Sequence, residues 1–291
     1  MTDSTRLPEP LASWVEPVLG PLKAVQDTSH PRENSQVWMV TGRTGDHYVK
    51  VAPKPVLYIR ETRAYREAVP HLGHGNAPAL KDSSADLLAL ILTAVDGEPL
   101  KGEESPARRR AGHRQAGQLL RRFHEALPGH QAQDEAAHAV ESAQSGLDKH
   151  IAETSDHLSP AEADTLRRLV STLPGLGPLP AGWRHGDLGE RNLLWNGRGC
   201  ALIDFERSEP GPLVSDFVKL ATSLWLDHPE LRTALFEGYG RSLSDAEECA
   251  LVAFAAANAA RALAYGPRYG AALVTARGRA TVKRLMQEGR R

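Results

Sequence analysis

Residues 183–211, WRHGDLGERNLLWNGRGCALIDFERSEPG, bring three oxygen-bearing side chains toward one point. Asp187 follows His185 and Gly186, and Asn192 lies five residues further on. Asp204 closes a hairpin predicted by the apolar runs NLLW and CALIDF around an Asn196-Gly197 turn. Carboxylate and amide oxygens suit a hard divalent cation such as Mg²⁺. A carboxylate within reach of a hydroxyl can orient it and take its proton. Phosphoryl transfer needs both, together with a cation to hold the α- and β-phosphates of a nucleotide. Asp187 and Asn192 share one loop and Asp204 faces it across the hairpin, so base and metal ligands can sit on one rigid element.

The elements that must carry these residues fall into two groups. QVWMV and HYVKVA read as strands joined by TGRTGD, whose glycines suit a hairpin turn. YIRETRAYREAVPHL has helical spacing and ends near Pro70. DLLALILTAVDGEPL reads as a buried strand running into a Gly-containing linker. From about residue 105 the pattern is helical, with Ser105-Pro106 as a start signal and Leu119, Leu120, Phe123 and Leu127 on one face. Further helices are predicted over 137–157 and 160–173, and from 212 to the end, with the hairpin embedded between them. The expected fold class is α+β, with a small β-rich lobe over 1–95, a hinge near 93–98 and a large helical lobe over 99–291.

The 291 residues, 41% of them hydrophobic, suffice for a real core. The net charge of -1 favours neither nucleic acid nor an anionic membrane as partner. MTDSTRLPEPLASWVEPV lacks the pattern of a signal peptide, and no window approaches 18 uninterrupted apolar residues, so a cytoplasmic protein with no membrane span is expected. Cys200 and Cys249 read as free thiols. With 8 Lys against 27 Arg, a lysine in a predicted strand, Lys50, stands out.

HGDLGERN followed by LIDFE resembles the catalytic loop and metal-binding segment of the aminoglycoside phosphotransferase and choline-kinase-like family, small-molecule relatives of the protein kinases. The resemblance implies a two-lobed kinase-like fold, Asp187 as catalytic base, and Asn192 and Asp204 as Mg²⁺ ligands. It further implies that Lys50, in YVKV, contacts the phosphates of ATP or GTP and that Glu61 pairs with it. Thr93 to Val95, in LILTAVDGEPL, would be the hinge that binds adenine. LLRRFH is similar to the helix that precedes the catalytic loop. The expected nucleotide-covering stretch, HPRENSQVW, has no Gly-x-Gly-x-x-Gly, and Ser35 is assigned there to face the phosphates.

Where regulated protein kinases carry an arginine before the catalytic aspartate, this chain has Gly186, and only about eight residues separate Asp204 from the next helix. A small-molecule acceptor is therefore expected. An antibiotic is the first expectation, a metabolic alcohol such as choline, homoserine or a sugar the second, and a nucleotide-binding pseudoenzyme the third. Acidic residues between 128 and 165 could form a wall that attracts a cationic acceptor, or a solvated helix face. His185 is read as structural, His71 and His74 as solvent-facing, and Asp216 as a brace for the catalytic loop.

Overall fold

The computed structural model describes residues 6–29, 36–127, 129–154 and 157–288. Ser35 lies outside the described residues. The first part of the chain builds α1 (Glu9–Leu19), β1 (Ala24–Asp27), β2 (Gln36–Gly42), β3 (Gly45–Val51), α2 (Pro55–Glu67), β4 (Leu80–Ser84) and β5 (Ala89–Thr93). The strands form one antiparallel sheet in the order β1-β2-β3-β5-β4. Pairing of Val37 with Lys50, Met39 with Tyr48 and Leu90 with Lys50 puts these side chains on one face. The alternate residues Trp38, Val40, Val49 and Ile91 pack on the other face against Leu11, Val15 and Leu19 of α1. Burial of Val49 on the α1 side thus forces Lys50 toward the opposite side.

The remainder builds β6 (Glu98–Pro99), α3 (Pro106–His124), α4 (Gly129–Ala152), α5 (Pro160–Val170), β7 (Ala181–Arg184), β8 (Leu193–Trp195), β9 (Cys200–Leu202), β10 (Glu209–Pro212), α6 (Val218–Ala221), α7 (Leu224–Asp227), α8 (Pro229–Tyr239), α9 (Asp245–Arg268) and α10 (Ala272–Glu288). This is the expected α+β layering, an antiparallel sheet followed by a helical part with an embedded hairpin. Ser105 caps α3, and Ser159 and Ser244 form capping boxes with Glu162 and Glu247. The hairpin β8–β9 is tied to α3 through Gln115, which accepts from Cys200 N at 2.9 Å and donates to Arg198 O at 3.0 Å.

Three elements depart from expectation. α1 was hidden by Pro8, Pro10 and Pro17, although Leu11, Val15 and Leu19 keep helical spacing. β4, with the sequence LKDSS, has too little apolar content to announce itself. α4 begins at 129 rather than 137 because its first contacts to the core are the small Ala132 and Ala136. Among the described helices α9 is long and apolar enough, by length and composition, to cross a bilayer, with a mean hydropathy of 1.3. Yet 56% of that stretch is buried, against α4, α5 and α10, which is the condition of a core helix. Cys200 is buried and Cys249 exposed, and both are free.

α3 and α8 meet through glycines. A Cβ on Gly238 would lie 1.7 Å from Arg114 O, and one on Gly117 would lie 2.0 Å from Leu235 O. Gly→Ala in an ordinary helix stabilises by up to about 1 kcal/mol. Here the sign should reverse: Gly238→Ala is expected to destabilise by about 3 kcal/mol through forced separation of the helices. Urea unfolding of the variant checks this, and a gain in stability would refute the close approach.

Candidate active site

The loop expected to be catalytic runs from β7 to β8 and carries His185, Asp187, Glu190, Arg191 and Asn192. Its entry is held by Asp216, which is buried. The carboxylate of Asp216 accepts from His185 N at 2.6 Å and Gly186 N at 2.7 Å, and bonds His124 Nε2 at 3.0 Å. His124 in turn meets Tyr239 Oη at 2.8 Å. Two backbone amides that face away from any strand are thereby satisfied. Burial works against the Asp216 carboxylate, but His124, His185 and the loop amides outweigh it and keep its pKa low. Gly186 sits at φ +77°, and a Cβ there would meet Arg207 O at 2.2 Å, so the turn requires glycine twice over.

The middle of the loop is anchored through Glu190. Arg109 of α3 grips it at 2.6 and 2.7 Å, and His113 Nε2 lies 3.0 Å from Oε1. At the exit, Asn192 Nδ2 donates to Asp187 O at 2.9 Å, and Ile203 N donates to Asn192 O at 3.1 Å. His185 Nε2 pairs with Ile203 O at 3.0 Å, a structural role as expected.

Asp204 follows β9 with φ +68°, one of two described non-glycine residues in the left-handed region. Phe205, fully buried, holds it there, with ring centroids 5.4 Å from Tyr65, 5.2 Å from Phe123 and 5.1 Å from His185. Lys50 Nζ reaches Asp204 Oδ1 at 2.7 Å, Glu61 Oε1 at 2.9 Å and Glu206 Oε2 at 3.6 Å. Burial pulls the Lys50 ammonium toward neutrality, but the three carboxylates outweigh it and keep it charged. Burial also raises Glu61 to about 7, against the pull of Lys50. Asp204 is opposed by burial but held at about 2, chiefly by Lys50. Three carboxylates converge on this one ammonium, and Glu206 also lies 3.9 Å from Arg207. Oxygen donors gathered in this way are what a divalent cation fits. The fit extends to Asn192, whose Oδ1 is the end of the amide not tied to Asp187 O.

Asp187 lies between two cations: Lys219 Nζ is 2.7 Å from Oδ1, and Arg191 bonds Oδ2. Burial would raise Asp187, yet Lys219, Arg191 and Arg207 hold it below the ordinary carboxylate range. Beside the segment 94–98, Met39, Tyr48, Val95 and Trp195 line an open cleft of ≈ 630 Å³. Val95 lines this cleft, whereas the amide and hydroxyl of Thr93 are engaged with Ala79 at 2.9 and 2.8 Å. Lys50, Glu61 and Asp204 are thus joined directly, and Asp187 and Asn192 share the facing loop. Sequence reasoning missed Glu206, Lys219, Arg191 and Glu190. Glu206 was visible two residues after Asp204. Lys219 had only the scarcity of lysine to mark it. His71 and His74 are exposed, and among the described residues no His, Cys, Asp and Glu group could hold a metal by clustering alone.

Residues 25–252 match the model of a family described as phosphotransferase enzyme family. No curated protein matches the chain. Among solved structures it is similar to a choline/ethanolamine kinase family protein from Mesorhizobium loti, at 19% identity and TM-score 0.66 over 95% of this chain and 91% of that one. It is also similar to the macrolide 2′-phosphotransferase MphH from Brachybacterium faecium, at 17% identity and TM-score 0.63 over 94% and 98%. A third is the streptomycin–ATP–APH(2″)-IIa ternary complex, at 16% identity and TM-score 0.67 over 97% of each chain. At these identities the likeness is one of fold, and it is the kinase-like fold.

The Glu190 anchor has a pH signature. Burial works to raise this carboxyl, but hydrogen bonds from Arg109 and His113 outweigh it and hold it at about 2, against 4.5 ordinarily. A depressed carboxylate stabilises fully above its unfolded pKa, and that stability is lost as pH falls toward the folded one. Glu190→Gln should therefore cost on the order of 2–3 kcal/mol at neutral pH. Its urea-unfolding free energy should also fall less steeply than that of the parent between about pH 4.5 and about pH 2. Parallel curves would remove Glu190 from the anchoring role.

Proposed function

The chain belongs to the phosphotransferase enzyme family, and from that membership and the geometry of the cleft we propose that it moves the γ-phosphoryl group of ATP or GTP onto a hydroxyl of a small molecule. The observation that carries this reading is the junction at Lys50. Its ammonium meets Glu61 from the sheet side and Asp204 from the hairpin side, with Asp187 and Asn192 on the adjacent loop.

In this reading Lys50, oriented by Glu61, holds the α- and β-phosphates. Asn192 and Asp204 hold Mg²⁺, which when bound supplies charge neutralisation for the nucleotide phosphates. Val95 and its neighbours in the cleft take the base of the nucleotide. Asp187 positions the acceptor hydroxyl. The hydroxyl oxygen forms a bond to the γ-phosphorus, the bond from that phosphorus to the β-bridging oxygen breaks, and the hydroxyl proton passes to the Asp187 carboxylate. A carboxylate whose pKa is lowered by neighbouring cations is a weaker base, so orientation of the hydroxyl is assigned as its larger contribution, consistent with a loose transition state that demands little deprotonation early.

An antibiotic is the acceptor class placed first, as the macrolide 2′-phosphotransferase and the streptomycin–ATP complex share the fold. A metabolic alcohol is the second reading, favoured by the likeness to the choline/ethanolamine kinase family protein.

Purified protein with Mg²⁺ and ATP or GTP, incubated with antibiotics and metabolic alcohols and analysed by mass spectrometry, should give a product heavier by one phosphoryl group. Asp187→Asn should lower kcat by about 10²–10⁴-fold, with nucleotide binding retained. Turnover near that of the parent would remove Asp187 from its role. Asp204→Ala should abolish metal-dependent nucleotide binding, and an unchanged Mg²⁺ dependence would count against it as a ligand.

A further inference from the structure

A lysine from outside the loop stands over Asp187. The chain passes from a 3-10 helix at Leu213–Phe217 into α6, a helix of four residues. So short a helix needs support from its surroundings. Thr222 Oγ1 donates to Val218 O at 2.8 Å, Ser223 Oγ to Lys219 O at 2.6 Å, and Arg284 of α10 to Ala221 O at 2.8 Å. Val218 and Leu220 are buried on either side of Lys219, which leaves the lysine side chain to reach out to Asp187. Three residues earlier, Asp216 accepts from the amides of His185 and Gly186. One segment thus fixes the entry of the loop and sets a cation over its middle.

The loop in turn makes room for that cation. A Cβ on Gly189 would sit 3.2 Å from Lys219 Nζ, 3.4 Å from Cε and 3.9 Å from Cδ. The backbone of Gly189 is extended, with φ -178°, a conformation open to any residue. The glycine therefore serves the lysine above it rather than the turn. The ammonium ends 2.7 Å from Asp187 Oδ1, its only hydrogen-bond or ion-pair partner among the described residues. An ammonium has three N–H donors, so the bond to Asp187 leaves donors to spare.

Both oxygens of Asp187 are capped, Oδ1 by Lys219 and Oδ2 by Arg191. A hydroxyl held by this carboxylate must come in beside one of the two cations. In a near-attack arrangement its oxygen lies about 3–3.5 Å from the atom it will bond. A phosphoryl group that meets the hydroxyl there brings its negative charge to the same cation. The Arg191 side chain is 54% exposed and that of Lys219 35%, so water screens the lysine less. Lys50 is already engaged on the β3 side, with Asp204 and Glu61.

We propose that Lys219 is a second phosphate-binding cation, whose spare N–H groups donate to non-bridging oxygens of the γ-phosphoryl group while Lys50 keeps the α- and β-phosphates. This rests on the reading of Asp187 as the anchor of the acceptor hydroxyl. In the transfer the hydroxyl oxygen bonds the γ-phosphorus. The bond from that phosphorus to the β-bridging oxygen breaks, its electron pair leaves with the diphosphate, and the hydroxyl proton passes to Asp187. Lys219 keeps its own protons throughout and neutralises charge on the group in transit. One ammonium shared between carboxylate and phosphoryl group holds the two reacting partners in register.

The test compares nucleotides with and without a γ-phosphoryl group. The full chain with Mg²⁺ is titrated calorimetrically with the imido analogue of ATP or GTP and with the matching diphosphate, which gives a ratio of two affinities. Lys219→Gln should weaken the analogue by about tenfold or more and leave the diphosphate within about twofold. A role confined to holding the loop would move both alike or neither. Gly189→Ala keeps every charge and should lower the same ratio by pushing the ammonium off its place. Lys149→Gln, exposed on α4, should leave the ratio unchanged. An unchanged ratio in Lys219→Gln would overturn the proposal, as would a loss produced by Arg191→Gln in its stead. If Lys219→Gln does not fold, an unchanged ratio in Gly189→Ala overturns it. Failure of the transferase reading is separate: the ratio would still depend on Lys219, and no acceptor would gain a phosphoryl group. Absence of any nucleotide binding would overturn both.

Discussion

One ammonium group joins three carboxylates, and the rest of the site is arranged around that junction. Lys50 sits on β3, Glu61 on α2, and Asp204 and Glu206 flank the buried Phe205. The contact therefore ties the sheet to the helical part of the molecule at a single atom. Ion pairs buried this deeply are costly unless every partner is satisfied. Here they are not all satisfied: Glu61 Oε2 is buried without a hydrogen bond, and burial pushes Glu61 up to about 7. The group is poised to accept more positive charge. In the proposed reaction a divalent cation at Asp204 and Asn192 would supply it.

The loop that carries Asp187 is held for reasons of its own. Asp216 consumes the amides at its entry, Arg109 and His113 grip its middle through Glu190, and Asn192 closes back on Asp187 O. Each anchor comes from a different element, so the position of Asp187 does not depend on a single contact. From Asp204 the chain passes through β10 to a short 3-10 helix at Leu213–Phe217. The loop is held by permanent packing and hydrogen bonds. That suits an enzyme whose acceptor must find a preformed carboxylate.

Much of this was legible in the sequence because the chemistry is local. Asp187, Asn192 and Asp204 are separated by a tight loop and a hairpin, so their spacing alone brings them together. Lys50 was legible as a rare lysine in a predicted strand, in a segment that resembles the family's phosphate-contacting strand. Asp216 was legible as a brace for the loop that carries Asp187. The rest depended on contacts far apart in sequence. Lys219 lies 32 residues from Asp187, and Arg109 lies 81 from Glu190. Neither pairing leaves a periodic trace. Thr93 and Val95 look alike at a strand end, but only the fold shows that the hydroxyl of Thr93 is spent on Ala79. Three prolines masked α1, whose apolar spacing was intact.

A net charge of -1 conceals how unevenly charge is distributed about Asp187. Toward β3 three carboxylates meet Lys50. On the other side Asp187 is bonded to both Lys219 and Arg191. In the proposed reaction a hydroxyl that approaches Asp187 would have to share the carboxylate with those two cations. Their attraction keeps the carboxylate ionised and in place and also lowers its basicity, so orientation of the hydroxyl and weak proton acceptance would follow from the same two contacts.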